Sequence, residues 1–212
     1  MTKRHILLKI EIFVIIFAMI LGSVTFVMKN KKNTKLITSF YSESKNSLDV
    51  VFLGTSHMLN AVSPMQLYDE YGICSYNYSS DSTPLLLSYY ALKNIAKNQT
   101  FKIACIDLLG IQYTTENDYR TWNDLYPWFH LFVDGIPIIL DKVILTNQYL
   151  NERKDNFSIY FEANMPIYRF HSRWTYLKDK DFFQFDDFQK GYSPNFKNGP
   201  PQENKKKKIV SY

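Results

Sequence analysis

The sequence predicts an α/β fold, a flavodoxin-like parallel sheet with flanking helices, preceded by one transmembrane helix. Three observations predict it. Short continuous apolar runs at 48–54, 73–78 and 102–108 alternate with segments of helical character, as buried parallel strands and their crossovers do. A stretch of 17 residues without a charge, Ile12 to Met28, lies near the N-terminus. The 212 residues are 46% hydrophobic and 17% aromatic, which supports a packed core and excludes wholesale disorder.

Residues 1–28 read as an N-terminal cytoplasmic tail and a transmembrane helix. Ile12 to Met28 is at the short end of what crosses a hydrocarbon core, and Ile6 to Leu8 with Ile10 lengthen it. Lys9 and Glu11 are near enough to the interface to snorkel. A cleaved signal peptide is the alternative, since Lys3 and Arg4 form a basic start. The apolar run is longer than an ordinary signal core, however, and Gly22 and Ser23 precede Thr25 to Met28 instead of closing it. Lys3, Arg4 and Lys9 before the span face Lys29, Lys31, Lys32 and Lys35 after it, so charge alone does not orient the helix.

Residues 29–47 are basic and rich in Ser and Asn, which reads as a polar stalk whose lysines can rest on anionic headgroups. The folded domain is expected over 48–190. Its first strand, 48–54, ends at Gly54. Pro64 to Tyr71 suits a helix with Pro in its first turn and Gly72 as its stop. The second strand is 73–78, the best amphipathic helix is 82–98, and the third strand is 102–108. Right-handed crossovers then place the first strand between the other two, in the order 2-1-3. Helices are expected at 124–132 and 136–149, the second opened by Pro137. Residues 151–190 are aromatic and lack a clean period. Residues 191–212 turn to Pro, Asn, Gly and Lys and read as a disordered tail.

The net charge of +5 does not signal nucleic acid. Residues 1–47 carry +6 and Lys205 to Lys208 another +4, leaving 48–204 with 13 bases against 18 acids. A body of net charge −5 lacks the broad basic face a polyanion needs. Cys74 and Cys105 are too few for a disulfide scaffold or a thiolate metal site. No dinucleotide, zinc or EF-hand pattern occurs, so neither cofactor nor metal is expected.

Ligands of an open parallel sheet gather beyond the carboxyl ends of its strands. There the first strand gives way to Gly54-Thr55-Ser56-His57. A serine at a strand-to-loop turn presents its hydroxyl among free amide N–H groups, which is what a nucleophile and its oxyanion hole require. Met58 stands where a Gly-x-Ser-x-Gly elbow has its second glycine, and no Gly-Lys-Ser/Thr follows, so neither that elbow nor a phosphate loop is present.

The segments DVVFLGTSHMLNAVSP, LYDEYGICSYNYSS, LLLSYYALKNIAKN and IACIDLLG together resemble the membrane-anchored SGNH/GDSL hydrolase-like proteins of Gram-positive bacteria. These are relatives of acyl-transfer proteins that modify cell-envelope polymers. The resemblance covers about 48–109 and fades toward 190. It implies Ser56 as nucleophile, with Gly54, His57 and Asn77 as oxyanion or substrate-binding residues. It also implies an extracellular body and an envelope glycan or acyl ester as substrate. The family's general base comes from a late Asp-x-x-His, and no Asp in this chain has His three residues on. His57, His130 and His171 remain in the body, and His171 is the candidate base because it lies late, with Asp residues following. The missing block implies a C-terminally truncated or divergent version. Two readings stay open: an esterase or O-acyltransferase, and a non-catalytic membrane-anchored protein, either a fragment of a longer gene or a degenerate homologue with a binding role.

Overall fold

The computed structural model describes residues 3–28, 31–113, 122–137, 139–153, 157–183 and 189–194. The fold is mixed α/β, mostly helical, around a small sheet of three strands: β1 (Val50–Leu53), β2 (Ser75–Asn77) and β3 (Ile103–Ile106). All three are parallel in the order β2-β1-β3, as the crossover argument predicts, with Val50 opposite Ser75 on one side and Ile103 on the other. The strands are shorter than the apolar runs that predict them.

Helix α1 (Lys3–Met28) is long and apolar enough to cross a membrane, with a mean hydropathy of 2.5 over its best window and none of that window buried. The segment expected to be a stalk is instead helix α2 (Lys31–Phe40), and its Leu36, Ile37 and Phe40 are core residues. The alternation of Lys, Asn and Thr with only three large apolar residues concealed a one-sided helix: positions 36, 37 and 40 fall on one face. Phe40 packs edge-on against Tyr41, Tyr76 and Tyr78 with ring centroids 4.9–5.3 Å apart, and Tyr76 donates a hydrogen bond to the Leu36 carbonyl at 2.7 Å.

After β1 comes the short α3 (Ser56–Ala61), then α4 (Pro64–Tyr71), which starts on a Ser63 cap and stops at Gly72 as predicted. Helix α5 (Leu85–Asn98) starts three residues later than expected: Pro84 occupies the cap position, and the buried Thr83 turns its hydroxyl back to the Ser80 carbonyl. Leu87, Tyr90, Ala91 and Ile95 of α5 bury one stripe. Beyond a 3₁₀ turn (Leu108–Tyr113) the described elements are helical: α6 (Trp122–Val133), α7 (Ile139–Arg153), α8 (Phe157–Asn164) and α9 (Pro166–Phe170), followed by 3₁₀ turns at His171–Tyr176 and Asp179–Asp181. The region without a clean period is thus a set of short helices. Of the expected tail, residues 191–194 are docked against the domain, and the remainder lies outside the described residues.

Two aspartates hold the two ends of the sheet. At the amino end, Asp49 accepts from the Cys74 amide at 3.2 Å and from Lys102 Nζ at 2.8 Å, and the lysine hydrogen bond leads in holding its carboxyl below the ordinary value. At the carboxyl end, Asp107 does the corresponding work and defines the candidate site.

Candidate functional site

Asp107 follows β3 directly, and the parallel register brings it beside the end of β1. Its Oδ2 accepts from the Thr55 hydroxyl at 2.6 Å and the Thr55 amide at 3.3 Å, and its Oδ1 accepts from the Leu109 amide at 2.8 Å. Partial burial pushes the carboxyl up. The hydrogen bonds from Thr55 and Leu109, with the charge of nearby His57, outweigh that and leave it below the ordinary carboxylate range. Asp107 is therefore an anion that fixes the turn after β1.

Gly54 makes this approach possible. A Cβ on residue 54 would lie 2.4 Å from the Asp107 Cβ, closer than any real pair, so no other residue fits without displacing the aspartate. The Gly54 carbonyl accepts from the Ser80 amide at 3.2 Å. Thr55, fully buried, caps α3 and accepts from the His57 amide at 3.4 Å while donating to Asp107.

Ser56 is the first residue of α3, half-buried, and its hydroxyl makes no hydrogen bond among the described residues. His57 follows, exposed. Asn77 ends β2 and is wholly buried. Both protons of its side-chain amide are engaged, to the Met58 carbonyl at 2.8 Å and the Val62 carbonyl at 3.0 Å, so it holds the far end of α3 in place. Oxyanion binding by that amide would require one of these bonds to break. The backbone of Asn77 is covered as well: its amide donates to Lys190 at 2.9 Å. Gly191 sits so close to the Asn77 carbonyl that a Cβ there would come within 2.0 Å. With φ of 82°, Gly191 turns the chain so that Ser193 can donate to Leu59 of α3.

The structure thus brings Gly54, Ser56, His57 and Asn77 together at the carboxyl end of the sheet. His171 is not drawn into that group. It lies exposed in the 3₁₀ turn after α9, its Nδ1 2.6 Å from the Tyr168 carbonyl, in a segment that packs on α1 and α9. His130 is elsewhere again, fully buried in α6 beside Asp134 (3.5 Å), which also pairs with Lys142. Burial holds the His130 imidazole below its ordinary value, while His130 and Lys142 keep Asp134 ionised against its own burial.

Asp107 is the residue that reading the sequence overlooked. The signal was present: in a 2-1-3 parallel sheet, the residues that follow β1 and β3 are neighbours, so the acid after IACI must face the turn after FLG. Among the described residues, no cluster of three His, Cys, Asp or Glu is arranged to hold a metal ion. Two cavities lie away from Ser56. One of about 340 Å³ is at the amino end of the sheet by Leu48 and Cys74, and one of about 450 Å³ lies between α1 and the helices α7–α9. No family model, no curated protein and no solved structure matches this chain.

Proposed function

We propose that the chain is a membrane-anchored ester hydrolase or O-acyltransferase of the SGNH type, acting on acyl groups of a cell-envelope glycan, with Ser56 as the attacking residue and the body outside the cytoplasm. The observation that carries the reading is the placement of Ser56. It opens a helix at the end of the central parallel strand, its hydroxyl half-exposed and unengaged, on a turn clamped by Asp107 through Thr55.

In this reading Ser56 Oγ adds to the acyl carbonyl, and amide N–H groups at the start of α3 receive the negative charge that develops on the carbonyl oxygen. The acyl group passes to the serine and the alcohol leaves with a proton. A second addition, by water or an acceptor hydroxyl, releases it. The imidazole at this end belongs to His57. Consecutive residues on a helix do not face each other, so a proton moving from Ser56 to His57 travels through a water. That route is poorer than a directly hydrogen-bonded base.

Two observations favour a second reading, a non-catalytic homologue that binds the same class of ligand. Asn77 has both amide protons occupied, and His171 sits with α1 and α9. The full chain in detergent, assayed on acetyl esters and with a fluorophosphonate probe beside Ser56→Ala, separates the two. The enzyme reading expects probe on Ser56 and turnover below about 1 per second, both lost in Ser56→Ala. A folded wild type that matches the blank in both assays leaves the binding reading. Protease added to intact, wall-stripped cells should remove the body; protection until lysis would place it inside.

A further inference from the structure

Helix α9 and the turn after it touch α1 and expose aromatic rings, and the depth of that contact along α1 can be counted. At 1.5 Å per residue, the 26 residues of α1 extend about 39 Å, and a hydrocarbon core of about 30 Å takes about 20 of them. The cavity of about 450 Å³ between α1 and the body is lined on the anchor side from Ala18 to Phe26, and on the body side by Ile136, Val143, Met165 and Ile167 with the polar Lys142 and Asn164. If the span ends at Met28, Ala18 lies about 15 Å inside the boundary. If Lys9 and Glu11 snorkel and the span is Ile6 to Thr25, Ala18 still lies about 10 Å inside. Either register puts this wall of the body at the depth of acyl chains.

The body is fastened to the end of the anchor. Arg173 donates to the Met28 carbonyl at the end of α1 and is itself held at 2.9 Å by Asp181, so the anchor cannot swing clear of the segment 171–181 without losing the bond to Met28. Exposed rings gather on α8, α9 and the turns that follow, interspersed with exposed polar residues such as Ser172 and Lys178: Phe157, Phe161, Tyr168, Trp174, Tyr176 and Phe182 are all exposed, Trp174 to 68% and Tyr176 to 76%. Tyr168, Trp174 and Tyr176, rings with one polar end on segments that touch α1, match the aromatic belt of bilayer interfaces.

We propose that α8, α9 and the turns that follow form a second membrane-contact surface, seated in the lipid interface beside α1, with lipid acyl chains filling the groove between them. The proposal rests on α1 spanning a membrane. Continuity with α1 names the occupant: the lipid that surrounds the anchor is the solvent this face meets.

The test uses the full chain in phosphatidylcholine–phosphatidylglycerol vesicles, with and without brominated acyl chains. Carbonate washing comes first. Release of the chain overturns the anchor itself, and this inference with it. For retained chain, tryptophan emission is read for wild type and Trp174→Phe. Trp174 should contribute at least half of the bromolipid quenching, so quenching falls about twofold or more in the variant. Retention with equal quenching in both forms overturns the second contact and leaves the anchor standing. Crosslinked dimers with unquenched Trp174 would assign the face to a second copy and overturn it likewise. If Trp174→Phe misfolds, a nitroxide on Ser172→Cys in a Cys74→Ser, Cys105→Ser background gives the same answer. Greater collision with oxygen than with a soluble nickel chelate supports burial in lipid, and the reverse overturns it.

Discussion

The α/β half of the molecule, β1 to the 3₁₀ turn at Tyr113, and the helical half, α6 to the turn at Asp181, are held together by different means. In the first, polar groups sit at the rims: Asp49 and Asp107 each join neighbouring strands through backbone amides and one side chain, at either end of an apolar sheet. In the second, ionisable groups are inside. Asp134, His130 and Lys142 are buried together, and aromatic rings take many of the exposed positions. A rim carboxylate fixed by amides leaves a neighbouring hydroxyl facing water, which suits a soluble ligand. A helical layer with a buried charge cluster and exposed rings suits contact with lipid. The difference divides the surface into a face for a ligand and a face for the membrane.

The largest effect that tests this contrast is expected at Asp134. Asp134→Ala leaves the Lys142 ammonium buried without its counter-charge, and breaking such a pair costs about 3–5 kcal/mol. Urea unfolding of the full chain in detergent should lose that much. A loss under about 1 kcal/mol would mean that water or lipid reaches Lys142, and the helical half would not be closed around its charges.

Next comes the rim. Gly54→Ala places a methyl 2.4 Å from the Asp107 Cβ, and forcing such a contact costs about 1–3 kcal/mol. Because the clamp moves with it, labelling of Ser56 should fall, while retention in membranes should not change. Undiminished labelling in a destabilised protein would separate Asp107 from the serine and undo the link between rim and ligand face.

The same contrast explains what could be read in the sequence. The α/β half announces itself because strands and crossovers repeat a pattern: continuous apolar runs, a proline-opened helix at Pro64, a glycine stop at Gly72. Even the strand order follows from the two crossovers together with the continuous apolar composition of β1, which seats it in the middle. Where reading failed, packing decided. Helix α2 looks like a stalk because Lys and Thr dominate it; only its partners, Tyr76 and Tyr78, reveal why Ile37 and Phe40 share a face. The short helices after residue 151 carry aromatic rings on outer faces as well as inner ones, which erases the 3.6-residue period. At the site, Gly54, Ser56 and Asn77 were legible as neighbours of strand ends. The use of Asn77 on α3 was not, since it depends on a six-residue helix at Ser56 that no periodicity can reveal.

A smaller effect sharpens the rim. Thr55→Val keeps the shape but removes the hydroxyl that donates to Asp107 and accepts from the His57 amide. Loss of a helix cap costs about 0.5–2 kcal/mol, and the Asp107 carboxyl, deprived of its shortest hydrogen bond, should titrate closer to the ordinary range. Carbon-13 shifts of that carboxyl would show the change. An unmoved titration would mean that the backbone amides of residue 55 and Leu109, with the charge of His57, hold the carboxylate without the hydroxyl.

At neutral pH the remaining effect is nil, and it grows only on acidification. His130 in the folded chain binds its proton less readily than in the unfolded chain, because burial disfavours the imidazolium. Its contribution is therefore complete above the unfolded value of about 6.5 and declines as pH falls from there toward the lowered folded value. Asp107 is also held low, through its hydrogen bonds, so its contribution is complete above about 3.9 and is lost only as pH falls below that. Asp134 acts in the same lower window. Acid should thus loosen the helical half first. Between about pH 6.5 and 4, amide exchange in α6, corrected for intrinsic rates, should quicken while β1 stays protected. Replacing His130 by Leu should abolish that early loosening, since no proton can then enter beside Asp134, Lys142 and Arg169. Equal quickening in α6 and β1 would show that the two halves open as one unit, with the buried charges felt equally at the rim.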